Sequence, residues 1–318
     1  MSSDSNPVHL GADRLSIRDV VAVARESRPV TLTREVEATI ERGHGVVARA
    51  VASGKPVYGV TTGFGGLAGV TIPEAERAQL QINLLRSHAA GVGQPLPDDA
   101  VRAAMLLRAH SLARGYSGVR VVLVKRMMEL LNRNILPVVP CQGSVGASGD
   151  LAPLAHLALP LVGEGKVRFH GQIRDAADAL RSARLTPIEL EAKEALALTN
   201  GAQVICALGS LAIRDTYLAL RAAEIAAAMS YEALEGHASA LAPAIHWLRP
   251  HPGQISAAIR MRMLLERNGD LPERGRGTVQ DPYSLRCIPQ VFGPVRTAVV
   301  HTRQSIQVEI NSVTDNPL

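Results

Sequence analysis

Residues 143–165 read GSVGASGDLAPLAHLALPLVGEG, and at their centre Ala147, Ser148 and Gly149 stand in a row with almost no side chain between them. Three explanations compete for such a run. A serine-hydrolase elbow has the form GxSxG, but Asp150 takes the place of the last glycine, so that pattern fails by one position. A helix start is the plain reading: Ser148 or Asp150 caps the helix LAPLAHLALPL, with Pro153 in its first turn. The third is that the backbone itself reacts, because small residues permit a tight bend.

Other residues stand out by type and setting. Tyr58 and Tyr283 are two of only five tyrosines, and both fall in glycine- or proline-rich loops, where functional groups concentrate. Arg286 follows QDPYSL in an apolar setting and needs an anionic partner, which a substrate carboxylate would supply as well as a protein one. His88, in LLRSHAAGVG, lies at a helix end before Gly91, where a C-terminal cap is its ordinary role. GFGGLAG (63–69) approaches a dinucleotide fingerprint but lacks the strand–helix frame and the downstream acid. Cys141, Cys206 and Cys287 are odd in number and unpaired in spacing, so neither a disulfide framework nor a zinc site is expected.

The elements that must carry these residues are mostly helical. Ser16 is placed to cap IRDVVAVARES, and Val36, Ile40, Val47 and Val51 recur at helical spacing until Gly54-Lys55-Pro56. Residues 56–70 read as loop, Pro73 as a first helical position, and 98–113 and 118–132 as helices. ILPVVP reads as extended, and KVRFHGQIRDA as a small hairpin about His170-Gly171. The uncharged run Ala195–Ile213 reads as a buried helix rather than a membrane span. Residues 202–234 are expected to form one long helix buried on several sides, 254–267 another, and 285–312 a third. RNGDLPERGRGTVQDP reads as a long polar loop.

Seven separated motifs then agree in order: YGVTTGFGGLAG, LLRSHAAGVG, GSVGASGDLAPLAH, ALTNGAQ, LRPHPGQ, VQDPYSLRCIPQVFGPV and EINSVTDNPL. Together they resemble the aromatic amino acid ammonia-lyase family from about residue 10 onward. The resemblance implies a mainly α fold, a long-helix bundle of the ammonia-lyase/fumarase-like type. Residues 1–200 would hold the tyrosine loop and the tripeptide, and 201–318 the start of the central bundle. It implies that Ala147, Ser148 and Gly149 cyclise to 4-methylideneimidazol-5-one. The Gly149 nitrogen attacks the Ala147 carbonyl, and water is lost there and from Ser148. By the same match Tyr58 takes the β-proton and Arg286 grips the substrate carboxylate. Asn200 and Tyr283 contact the prosthetic group, and Gln280 and Asn316 line the site. The Ser87-His88 pair implies an imidazole-bearing substrate, hence histidine converted to urocanate and ammonia. A phenylalanine or tyrosine lyase, a 2,3-aminomutase and an inactive fragment with only an assembly role are the alternatives. A homotetramer without metal is implied.

Composition sets the frame. Of 318 residues 47% are hydrophobic and 20% charged, which allows a sizeable core and argues against general disorder. The net charge is +5, but the basic residues are dispersed and aromatics are only 3%, so nucleic-acid binding is not expected. The first residues carry no apolar signal core, and a cytoplasmic protein with a frayed N-terminus is expected. Leu318 directly follows the TDNP motif, whereas the family continues through a further helical region that completes the pocket. The resemblance therefore implies that residues 1–318 alone are poorly soluble and have little lyase activity.

Overall fold

The computed structural model describes residues 6–145, 149–266 and 279–318. Ala147, Ser148 and most of the polar segment expected as a loop lie outside the described residues. The chain is mainly helical, as its periodicity predicts, and separates into two compact units. One comprises Met1–Leu211 with Gln307–Leu318, the other Ala212–Ile306.

The first unit opens with β1 (Val8–His9), paired in parallel with β2 (Val30–Thr31). Between them runs α1 (Ile17–Arg25), started as expected by Ser16. The Ser16 hydroxyl accepts the Asp19 N–H at 3.2 Å, and the Asp19 carboxylate accepts the Ser16 N–H at 3.0 Å. Helix α2 (Arg34–Ala52) stops where Gly54-Lys55-Pro56 predicts. Helix α3 (Glu74–His88) begins one residue after Pro73, which caps it instead of entering it. There follow β3 (Val92–Pro95), α4 (Asp98–Ala113), α5 (Val121–Asn132), β4 (Leu136–Pro137), β5 (Pro140–Gln142) and α6 (Leu151–Ala158). Then come β6 (Lys166–Phe169) and β7 (Gln172–Asp175), the hairpin expected about His170-Gly171, with β4 on the other edge of β6. Helices α7 (Ala176–Ser182) and α8 (Glu194–Thr199) complete this stretch.

At the centre lies α4, buried along its length between α1, α2 and α5. A helix enclosed on all sides must satisfy its polar side chains internally. Arg102 does so by donating to the Val23 carbonyl at 2.9 Å, the Leu131 carbonyl at 3.1 Å and Asn134 Oδ1 at 2.9 Å. Across the unit, the buried Lys193 ammonium meets Asp315 at 2.9 Å, and the Ser117 hydroxyl donates to the same carboxylate at 2.9 Å. This ties the TDNP segment beneath α8.

The uncharged run 195–213 is not one helix. It divides at Asn200-Gly201, and α9 (Gln203–Ala233) starts afresh. The reason is tertiary: the Gly201 carbonyl accepts the Asp150 N–H at 2.7 Å and is lost to helix continuation. By length and composition α9 could cross a membrane, yet Glu224 within it is buried against Arg296 and Arg260, a protein-interior arrangement.

The second unit holds the rest of α9 with α10 (Pro243–Leu248), α11 (Pro252–Leu265), α12 (Tyr283–Arg286) and α13 (Ile288–Glu309). Its core is Ala228, Tyr231, Leu241, Met261, Leu265, Leu285 and Ile288. Here α9 is not buried on several sides. A single seam of Leu220, Glu224, Ala228 and Tyr231 is covered, while Leu218, Ile225 and Met229 are exposed. The helix expected over 285–312 is divided at Cys287, so Pro289 falls in the first turn of α13, where its missing N–H costs little; Pro294 remains inside.

Burial makes the α4 histidine a sensor of acid. His110 Nδ1 accepts the Gly11 N–H at 3.2 Å, and burial, aided by the Arg114 charge, pushes its pKa down to about 4. The folded state therefore binds its proton less readily than the unfolded chain, whose histidine titrates near 6.5. Stability is full above that value and falls as pH drops from about 6.5 towards 4, by roughly 3 kcal/mol for this group. Thermal melts across this window should show that slope flattened in His110→Gln; an unchanged slope would place the acid sensitivity elsewhere.

Candidate active site

Asp150 is fully buried, the one charged side chain between Cys141 and Val162, and its contacts define the site. Its backbone starts α6, but its side chain caps a different helix. Oδ2 accepts the N–H groups of Val204 at 2.8 Å and Ile205 at 2.9 Å in the first turn of α9. Oδ1 accepts the Ser144 hydroxyl at 2.7 Å. The expected capping of α6 by this side chain is thus corrected: no side-chain cap bond is made there. An anion on the orphan N–H groups of a long helix is the better use of the charge.

Gly149 pairs with Gly201 as an isolated parallel bridge and has φ +85°. A Cβ at this position would lie 2.0 Å from the Gly201 oxygen, so only glycine fits. The end of the tripeptide is therefore held from both sides, by Gly201 and by the Asp150 carboxylate.

Helix α8 packs against α3 and α6 and presents Asn200 at its C-terminus. Its N-terminal turn is tied to α3, since the Ala195 N–H donates to the buried Gln81 Oε1 at 3.0 Å. The tyrosine loop rests on the same helix. Gly59 has φ +64°, and a Cβ there would meet Leu196 Cδ1 at 2.2 Å. The buried Thr61 hydroxyl donates to the Lys55 carbonyl at 2.7 Å and accepts the Val57 N–H at 2.8 Å, closing the loop that carries Tyr58. Tyr58 is 38% exposed, and its hydroxyl accepts the Gly65 N–H at 3.5 Å within the same loop.

His88 ends α3, as its sequence setting predicts. Nδ1 lies 3.0 Å from the Leu84 carbonyl. The Ser87 hydroxyl lies at the same 3.0 Å from Nδ1, so this edge of the ring is held by its own helix. Just beyond, the Gly91 N–H donates to His156 Nε2 at 3.1 Å. The antiparallel pair β3–β5 then joins the strand leaving His88 to the strand entering the tripeptide. One unit thus positions Tyr58, His88, Gly149, Asn200 and, through buried Asp315, Asn316.

Gln280, Tyr283 and Arg286 belong to the other unit. Gln280 and Tyr283 are exposed. Arg286 lies with its guanidinium 4.3 Å from the centre of the Tyr283 ring, a cation–π contact that presets its direction. Among the described residues no group of three or more His, Cys, Asp or Glu could hold a metal. Sequence reasoning missed Gln81, His156 and the reach of Asp150 to α9. Only the last had a visible signal, a lone charge in an apolar stretch.

Removing the Asp150 carboxylate leaves three donors unpaired and the α9 terminus without its anion. Asp150→Ala should cost about 2 kcal/mol or more in a denaturant or thermal melt. Ser144→Ala should cost less, since that residue is exposed. Equal, negligible losses would mean that the cap does not hold α9.

Known proteins are similar to this chain in sequence and in fold. The pattern of the aromatic amino acid lyase family matches residues 15–318. A histidine ammonia-lyase of Symbiobacterium thermophilum is 48% identical over 98% of this chain and 61% of its own length. Among solved structures, histidine ammonia-lyase from Trypanosoma cruzi matches at TM-score 0.88 and 38% identity, over 98% of this chain and 58% of that one. The phenylalanine aminomutase of Pantoea agglomerans matches at TM-score 0.90 and 33% identity, over 98% and 64%. The chain spans about three fifths of the length of the curated relatives it matches. With its helical fold and a family match over nearly all of its residues, the chain belongs to the aromatic amino acid lyase family.

Proposed function

We propose that this protein deaminates L-histidine without oxidation, releasing urocanate and ammonia. The observation that carries the reading is the clamped segment at Gly149-Asp150, whose entering strand β5 pairs with the strand that follows His88. The higher identity to histidine ammonia-lyases than to the aminomutase supports histidine as substrate.

The residues present fit the prosthetic group of the family. A segment that bends on itself needs a nitrogen without a neighbouring side chain and a fixed far end; Gly149 carries no Cβ, and the Asp150 N–H bond to Gly201 fixes that end. Ala147, Ser148 and Gly149 would supply the group, which, once formed, offers an electrophile that turns the amine into a leaving group. Around it, each side chain has one task. His88 accepts the substrate imidazole N–H on Nε2. Arg286, oriented by Tyr283, binds the carboxylate as a charge-assisted pair. Tyr58 takes the β-proton. By the family match Asn200 and Tyr283 would contact the prosthetic group, and Gln280 and Asn316 would line its pocket. We assign the protein to the cytoplasm and to a homotetramer; the uncovered apolar positions of α9 support association of copies.

Intact mass tests the first step: the purified chain should be lighter than its encoded mass by two waters, and Ser148→Ala should restore the full mass. An unmodified, well-folded wild type would end the proposal. Product analysis tests the second. Histidine should give urocanate, whereas a β-amino acid product would identify an aminomutase. His88→Leu should lower the preference for histidine over phenylalanine by about a hundredfold. An unchanged ratio would reduce His88 to a helix cap.

A further inference from the structure

Helix α4 carries a second buried arginine that none of the proposed chemistry uses. Arg108 has no solvent exposure, and its Nη1 donates to the Asn200 carbonyl at 3.1 Å and to Gln203 Oε1 at 2.8 Å. Its Nε and Nη2 have no hydrogen-bond partner among the described residues. Burial pushes its pKa down to about 10, although Asp315 pulls it back up. Asp315 is paired at 2.9 Å with the buried Lys193, so no carboxylate contacts Arg108 among the described residues. A fully buried guanidinium with two nitrogens unpartnered among the described residues is costly. Packing alone does not account for it.

What Arg108 grips is the joint between α8 and α9. One nitrogen holds Asn200, the residue that follows α8, by its carbonyl and the first residue of α9 by its side chain. Between these two points lies Gly201, which accepts the Asp150 N–H and abuts Gly149. Asn200 and Gly149 thus depend on the same joint. We propose that Arg108 is a positioning residue of the active site. It fixes the Asn200–Gln203 joint, and through it the Asn200 side chain and the Gly149-Asp150 backbone. The proposal rests on reading those residues as the lyase site.

Arg102 provides the control, because it is buried on the same helix and also clamps carbonyls, but those of Val23 and Leu131. The experiment compares Arg108→Gln, Arg108→Lys, Gln203→Leu and Arg102→Gln in the complete gene product. Amide hydrogen exchange at Asp150, Val204 and Ile205, the two-water mass deficit, and kcat and KM are measured in each. Arg108→Gln and Gln203→Leu should speed exchange at those three amides by about tenfold or more, as loss of a bond to a charged group implies. They should also lower kcat more than they raise KM, with partial recovery in Arg108→Lys. Arg102→Gln should lower the melting temperature and leave the three amides unchanged. If Arg102→Gln and Arg108→Gln give the same exchange pattern and the same kcat, Arg108 is only a core cation and the proposal fails. Should Arg108→Gln not accumulate folded, Gln203→Leu, which keeps the arginine, decides by the same amides. A wild type without the mass deficit would overturn the lyase reading, while the exchange data would still decide whether Arg108 holds the joint.

Discussion

The Asp150 carboxylate on the first turn of α9 is the contact on which the rest of the site depends. It satisfies two orphan amides of a 31-residue helix, and the same residue's N–H takes the Gly201 carbonyl. These bonds break the apolar run into α8 and α9 and place Asn200 at the break. They also fix the strand-like pairing of Gly149 with Gly201. A side chain at Gly149 would strike the Gly201 carbonyl and force the two apart, so the smallness of Gly149 is a steric requirement.

Polar groups in the interior of the first unit form connected sets rather than isolated pairs. Lys193, Asp315 and Ser117 link three distant stretches of chain, and Arg120 binds the buried Glu194 at 2.7 Å at the start of α8. Such pairs add little net stability once desolvation is counted. Their value is geometric. They hold α8 at a fixed place, and α8 is the common support of the Tyr58 loop, α3 and α6.

The second unit uses the same economy of charge around Glu224, which meets Arg296 and Arg260 within an otherwise apolar core. Within that core Leu285 is buried, while on the same short helix Tyr283 is exposed and Arg286 lies over its ring. The rigid ring restricts the arginine's rotamers before any ligand arrives, which reduces the ordering cost of binding an anion.

Much of this was legible in the residues. Helical periodicity and caps at Ser16 and Gly54, the hairpin at His170-Gly171, and helix 98–113 are local properties, set by nearest neighbours and by the 3.6-residue repeat. The seven ordered motifs carried the family. What sequence did not contain was every feature that depends on a partner distant along the chain. The run 195–213 has the composition of one helix, and only the carbonyl taken by Asp150 divides it. Composition marks α9 as apolar throughout, but which stripe is buried was decided by where α11 and α13 pack. Arg108 and Gln81 read as ordinary helix residues. Their roles come from what faces them, Asn200 and Ala195, about a hundred residues away in sequence and 3 Å away in space. Hydrogen bonds act at that short range, so only the folded chain could select them.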